Sequence, residues 1–222
     1  MRLRKKPNLP ARLEKCAHLL VAEPETLRGR WLCEFPYGDL CLELGCGKGQ
    51  FTIEKARSMP GSFLVALEKS LSVMIIALER ADKEGVQNIR FINALADNLA
   101  EHFAPGEISR IYINFCDPWP ANRHAKRRLT HRRFLEIYKL VLRPEGEIYF
   151  KTDNLPLFDY SLREFSRCGF TIVDVTRDLH KDGTVGVMTD YEMKFHSQGL
   201  PIYCAQAVLK ESYDQGSGKG LF

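Results

Sequence analysis

The chain is predicted to adopt a doubly wound α/β fold: a mostly parallel sheet with helices on both faces and one antiparallel strand at an edge. Three observations carry this. From Asp39 onward, short apolar runs alternate with longer amphipathic stretches. The first run opens directly into a glycine-rich loop. The last two runs, Phe170–Thr176 and Ile202–Leu209, have no obvious helix between them. Such a pair suits antiparallel pairing, which needs no helical crossover.

The elements follow in order. Leu40–Leu44 is strand one, and Gln50–Ser58 the first helix of the domain. Phe63–Leu67 is strand two, and Leu71–Lys83 a long amphipathic helix. Asn88–Ile92 is strand three. Arg110–Phe115 is strand four, apolar enough to be central. His131–Leu142 reads as a helix, Glu147–Lys151 as a strand, and Pro156–Cys168 as a helix closed by Gly169. Residues 1–38 are expected to form a basic N-terminal arm with a short helix near Ala11–Leu20. The domain then spans 39–212, and 213–222 is a tail flexible by composition.

At 222 residues and 45% hydrophobic content, one domain can bury a full core without metals or disulfides. The seven cysteines are odd in number and form no C-x-x-C pair, which argues against a disulfide framework and against a structural zinc. No metal and no membrane partner are expected, and a reducing, cytoplasmic setting fits. The net charge of +4 is ordinary, but its distribution is not. Basic residues cluster at Arg2, Arg4, Lys5 and Lys6, and again from Arg123 to Arg133, which suits a polyanion.

The loop after strand one reads Glu43-Leu-Gly45-Cys-Gly47-Lys-Gly49. Its spacing is G-x-G-x-G, not the G-x-G-x-x-G of a dinucleotide loop, which disfavours a nicotinamide dehydrogenase. Glu43 would repel a pyrophosphate but suits the ammonium of a bound amino acid. Glu68 ends strand two about 20 residues past the loop, where an acid can accept from both ribose hydroxyls. An amino-acid anchor and a ribose anchor with no phosphate cradle describe S-adenosylmethionine. The adenine contact is expected from Asn93, Leu95 or Asp97 after strand three.

Asp117 lies at the end of strand four, and Pro118 and Pro120 stiffen the bend around Trp119. Its carboxylate can accept from the N1–H and amino group of a guanine. Arg123, His124, Lys126, Arg127 and Arg128 follow as RNA-facing candidates, although Arg128 and Arg133 also suit structural pairing. Two other readings compete. An exocyclic-amine RNA or DNA methyltransferase carries a related acid-proline bend, and a non-catalytic RNA-binding protein could retain a relic cofactor fold.

These residues resemble the bacterial tRNA (guanine-N(7)-)-methyltransferases over nearly the whole chain. The matching motifs run from Arg2-x-Arg-x-Lys-Pro7 through Glu43 to Gln50, Asn114 to Pro120, Arg123 to Leu129 and Phe150 to Asn154. They continue through Leu157 to Ser161, Asp178 to His180, Met188 to Phe195 and Gly199 to Tyr203. The resemblance implies a seven-stranded methyltransferase sheet using S-adenosylmethionine and methylating N7 of a variable-loop guanosine in tRNA, in a monomer or homodimer. It implies that Glu43, Glu68 and Asp117 line the cofactor and base pocket. It implies that Asp153, Thr189, Asp190, Tyr191 and Glu192 contact the substrate nucleoside. This sequence departs from the pattern at Ala121, where a Lys is usual, at Leu95, where several relatives have an acid, and at Cys116, where Ser is common.

Overall fold

Strand β1 (Asp39–Leu44) is buried at every residue but its first, and β2 (Ser62–Leu67) along its whole length. Strands buried on both faces belong at the centre of a sheet covered by helices on either side. Side chains alternate between those faces. Leu40, Leu42 and Leu44 join one core with Phe63, Val65 and Leu67, while Cys41 joins the other with Leu64 and Ala66. Glu43 shares the face of Cys41.

A computed structural model describes residues 8–210. Helix α1 (Leu9–Lys15) precedes a short α2 (Trp31–Glu34) and β1. Then come α3 (Gln50–Ser58), β2, α4 (Leu71–Glu84), β3 (Ile89–Ile92), α5 (Leu99–His102) and β4 (Ile108–Asn114). The second half comprises α6 (Arg132–Val141), β5 (Leu142–Thr152), α7 (Leu155–Arg167), β6 (Phe170–Thr176), α8 (Asp190–His196) and β7 (Tyr203–Leu209). The sheet order is β3-β2-β1-β4-β5-β7-β6. All neighbours are parallel except β7, which runs antiparallel to both β5 and β6. This single antiparallel strand lies in the edge pair, one place in from β6. The chain winds outward from β1 to β3, then returns to place β4 on the other side of β1. The crevice beyond the carboxyl ends of β1 and β4 is the topological switch point, where open α/β sheets bind ligands.

Three expectations about elements need correction. The N-terminal helix ends at Lys15, and a 3₁₀ turn, Ala17–Leu19, follows. The chain must extend there because Leu20 bridges Phe91 and the Val21 N–H donates to the Phe91 carbonyl at 2.9 Å, covering the β3 edge. Strand β5 begins at Leu142, not Glu147. Its pairing with β4 jumps from Ile108↔Leu142 to Arg110↔Glu147, so Arg143–Gly146 bulge out, and Pro144, Glu145 and Gly146 resemble a loop in sequence. The segment between β6 and β7 is not helix-free: it contains α8. The basic cluster at Arg2–Lys6 and the tail 213–222 lie outside the described residues.

Candidate active site

At the switch point two lobes of one cleft meet. A lobe of about 520 Å³ is lined by Gly45, Glu68, Leu95, Asp97, Asp117 and Lys126, among others. A second, of about 370 Å³, is lined by Glu43, the loop from Gly45 to Phe51, and Thr189, Asp190, Tyr191 and Lys194. Gly45, Asn114 and Phe115 border both lobes.

Alternation along β1 turns Glu43 toward α3, where it is only 2% exposed. The Thr52 hydroxyl donates to one carboxylate oxygen, and the Asn114 side-chain amide donates to the other at 3.1 Å. Burial outweighs these donors and pushes the Glu43 carboxyl up to about 7. Thr52 does not stand out in sequence and is brought to Glu43 by α3, whereas Asn114 opens the Asn114–Pro120 motif and reaches Glu43 from the end of β4. At the end of β2, Glu68 accepts from the Gly47 N–H at 3.3 Å and the Ser70 N–H at 2.9 Å, one on each oxygen. Each oxygen keeps a lone pair for a further donor.

The three loop glycines differ in purpose. Gly45 and Gly47 have φ of +77° and +58°, and a Cβ on either would meet open space. They supply the left-handed turn that lets the loop curl around the cleft. At Gly49 a Cβ would lie 2.7 Å from the Cβ of Ala77, so this glycine also sets the approach of α3 to α4.

After β3, the candidates separate. Asn93 is exposed next to the lining residues Ala94 and Leu95, and its amide nitrogen donates to the Glu68 carbonyl at 2.7 Å. Leu95 lines the larger lobe and is 51% exposed. Asp97 also lines it, but its carboxylate is paired with Arg133.

Asp117 is exposed at the wall of the larger lobe, and no side chain bonds to its carboxylate among the described residues. Its direction is therefore set by backbone. Phe115 and Trp119 flank it with φ of +49° and +42°, a region that L-residues other than Asn, Asp and His seldom adopt. Arg128 holds this bend from behind. Its Nε donates to the Pro118 carbonyl at 3.1 Å, its Nη2 donates to the Trp119 carbonyl at 2.9 Å, and its guanidinium lies 4.4 Å from the centre of the Tyr160 ring. At 8% exposure it is not open to phosphate, which corrects its place among the RNA-facing residues and fits the structural role also expected of it. Arg123, Lys126 and Arg127 are exposed on the 3₁₀ turn Asn122–Arg127. Arg127 lies 4.8 Å over the Trp119 ring, and His124 meets that ring edge-on. Lys126 borders the cleft beyond Ala121.

The β6–β7 segment closes the smaller lobe. Tyr191 packs on Phe115 with ring centres 5.1 Å apart. Burial, with the nearby charge of Asp153, raises the Tyr191 phenol. Asp153 is half-buried at the end of β5 and borders neither lobe. Asp190 forms a 3.4 Å pair with Arg80. Glu192 needs correction as a substrate contact, because it is wholly buried. Its carboxylate receives Lys151 at 3.0 and 3.2 Å, bonds to His180 Nε2 at 2.8 Å, and accepts from the Thr189 N–H at 3.2 Å. The Thr189 hydroxyl accepts the Glu192 N–H in return, completing a capping box. The spacing Thr189-x-x-Glu192 signals that box in the sequence.

Among the described residues, no cluster of three or more metal-ligating groups occurs, and no helix is long and apolar enough to cross a membrane.

A family model described as "Putative methyltransferase" matches residues 38–205. A tRNA (guanine-N(7)-)-methyltransferase of Geobacillus kaustophilus is 44% identical over 210 residues, covering 94% of this chain and 97% of the relative. The enzyme of that name from Streptococcus equi subsp. zooepidemicus is 42% identical over 94% of this chain and 100% of its own. The chain belongs to the tRNA (guanine-N(7)-)-methyltransferase family. Solved structures of lower identity share the fold of this family member. The 16S rRNA methyltransferase KamB aligns with a TM-score of 0.63 at 18% identity, covering 84% of this chain and 92% of its own. A SAM-dependent methyltransferase from Aquifex aeolicus aligns at 0.56 with 14% identity, over 92% of this chain and 100% of its own.

Proposed function

We propose that this chain transfers a methyl group from S-adenosylmethionine to N7 of a guanosine in tRNA, in the cytoplasm. The observation that carries this reading is the shared cleft: a free carboxylate, Asp117, and a ribose-type acceptor, Glu68, border one lobe. Gly45 joins that lobe to the one that holds Glu43.

The donor set fits the cofactor. Glu43 offers a buried anion for its ammonium, Glu68 has unused lone pairs for two ribose hydroxyls, and Leu95 offers apolar surface for its adenine. Gly45 and Gly47 leave the space that side chains would otherwise take. S-adenosylmethionine supplies a methyl group made electrophilic by its sulfonium.

The residues then have little proton chemistry to perform. Guanine N7 carries a lone pair and no proton, so no general base is required. Asp117 accepts from the N1–H and amino group of the base, which orients N7, the proximity contribution. The methylated ring is cationic, and the same carboxylate offsets the charge as it develops. Tyr191 and Phe115 form an aromatic wall beside the point where the two lobes join. Arg123, Lys126 and Arg127 meet phosphates, which position the RNA without reading its sequence. Lys126 supplies the cation that Ala121 does not.

The test is incubation of tRNA lacking the modification with isotopically labelled cofactor, then nucleoside digestion and mass analysis. Label in 7-methylguanosine is expected. Label in an exocyclic-amine-methylated adenosine or cytidine, or none in any nucleoside, overturns the reading.

A further inference from the structure

We infer that Arg128 is a positioning residue of the reaction, fixing the direction of Asp117 through the backbone of the bend; this rests on the methyl-transfer reading above. Asp117 has no side-chain partner among the described residues to hold it. Whatever aims its carboxylate must therefore act on the main chain around it. That chain is unfavourable by itself. Phe115 and Trp119 stand at positive φ, and Trp119 does so immediately before Pro120, which restricts it further. Pro118 and Pro120 supply no N–H, so two of the amides that could close the bend are missing.

The Pro118 and Trp119 carbonyls point instead at one buried guanidinium. The planar fork of Arg128 reaches both at once, a geometry that a single ammonium does not reproduce. Tyr160, on α7, supports the guanidinium from below. The bend after β4 is thus braced against α7 through Arg128. Its neighbours Lys126 and Arg127 belong to the same basic run but are exposed. One stretch of cations divides into two tasks, one facing solvent and one facing the bend.

A phosphate ligand and a brace give different kinetics. The experiment compares the wild-type chain with Arg128→Lys, Tyr160→Leu and Arg127→Ala, reading kcat, KM for tRNA and its salt dependence, with product identified as 7-methylguanosine. Arg128→Lys keeps the charge but not the fork. Its kcat is expected to fall by about tenfold or more, with KM and the salt slope unchanged. Tyr160→Leu should move kcat the same way by less. Arg127→Ala should instead raise KM and lower the salt slope by about one.

Acrylamide quenching of tryptophan fluorescence supplies a readout independent of turnover. Trp31 is fully buried and Trp119 half-buried, so added quenching in Arg128→Lys reports a loosened bend. Wild-type kcat in Arg128→Lys, unchanged quenching, or a raised KM with a flattened salt slope each overturns the inference. A wild-type chain that forms no 7-methylguanosine overturns the functional reading instead, and quenching then still decides whether Arg128 braces the bend.

Discussion

Asp117, after β4, and Glu192, in α8, are motif acids on two segments that meet where Phe115 packs on Tyr191. Asp117 is exposed, has no side-chain partner among the described residues, and sits on a bend with two residues at positive φ. Glu192 is fully buried and bound to Lys151, His180 and the Thr189 N–H. The first leaves its hydrogen-bonding capacity to a ligand and relies on backbone for direction. The second uses that capacity to dock a segment. Two acids in adjacent motifs therefore have different chemistry, and burial with partner count tells them apart.

That contrast is most sharply broken at Asp117. Asp117→Asn keeps the shape but removes the charge and one acceptor. Turnover is expected to fall by about 10²-fold, with cofactor affinity and melting temperature unchanged, because no protein contact is lost. Steady-state kinetics with calorimetric titration of S-adenosylhomocysteine checks all three. A pH–rate profile in which Asp117 behaves as an essential base would contradict the assignment.

Glu192→Ala should show the opposite pattern. It strips the partner from Lys151, whose side chain is only 13% exposed, and loss of such a partner costs about 3–5 kcal/mol. The loss should be local. Hydrogen exchange is expected to rise across residues 177–202 while β1, β2 and β4 keep their protection, and turnover falls because the wall of the smaller lobe opens. Unchanged exchange in that segment would show that Glu192 does not dock it.

The same two regions show what is legible in sequence. The glycine-loop half is local: an apolar run, alternating glycines and an acid on either side follow one another, and α3 spans the expected Gln50–Ser58. Asp117 is legible because prolines bracket it. Arg128 is legible only as a structural candidate beside Arg133; what it braces is not, because the direction of its side chain depends on Tyr160, some thirty residues away on α7. Glu192 carries a readable sign, the Thr189-x-x-Glu192 box, yet its partners are not in that box: Lys151 comes from β5, and His180 from 12 residues upstream in the same segment. The placement of β7 between β5 and β6 is likewise non-local: two apolar runs show that they pair, not which one takes the outer edge.

Glu43 sharpens the comparison, because it combines both conditions: buried like Glu192, yet bordering the cleft like Asp117. Its carboxyl titrates near 7 where the usual value is 4.5. An ammonium ligand requires the ionised form. Below pH 7 binding must therefore expel a proton, and affinity for S-adenosylhomocysteine should fall by about tenfold per pH unit. Glu43→Gln should bind about tenfold to 10²-fold more weakly at pH 8, without that pH dependence. Stability runs the other way. Between pH 4.5 and 7 the unfolded chain gives up this proton before the folded chain does, so rising pH removes stability at this site. The Gln variant is relieved of the buried charge and should melt above wild type at pH 8, the difference closing toward pH 5.

The smallest effect belongs to the exposed cations. Lys126→Ala should weaken tRNA binding only a few-fold near physiological salt, because one phosphate contact among many is lost. Its signature is the slope of log affinity against log salt, reduced by about one, with cofactor affinity and the bend's tryptophan quenching unchanged. Lys126 borders the cleft as well as the solvent, so a second outcome is informative. If kcat falls while the slope holds, Lys126 acts on the reacting base in the position Ala121 leaves vacant, and the basic run divides a second time, between Lys126 and Arg127 as well as between Arg127 and Arg128.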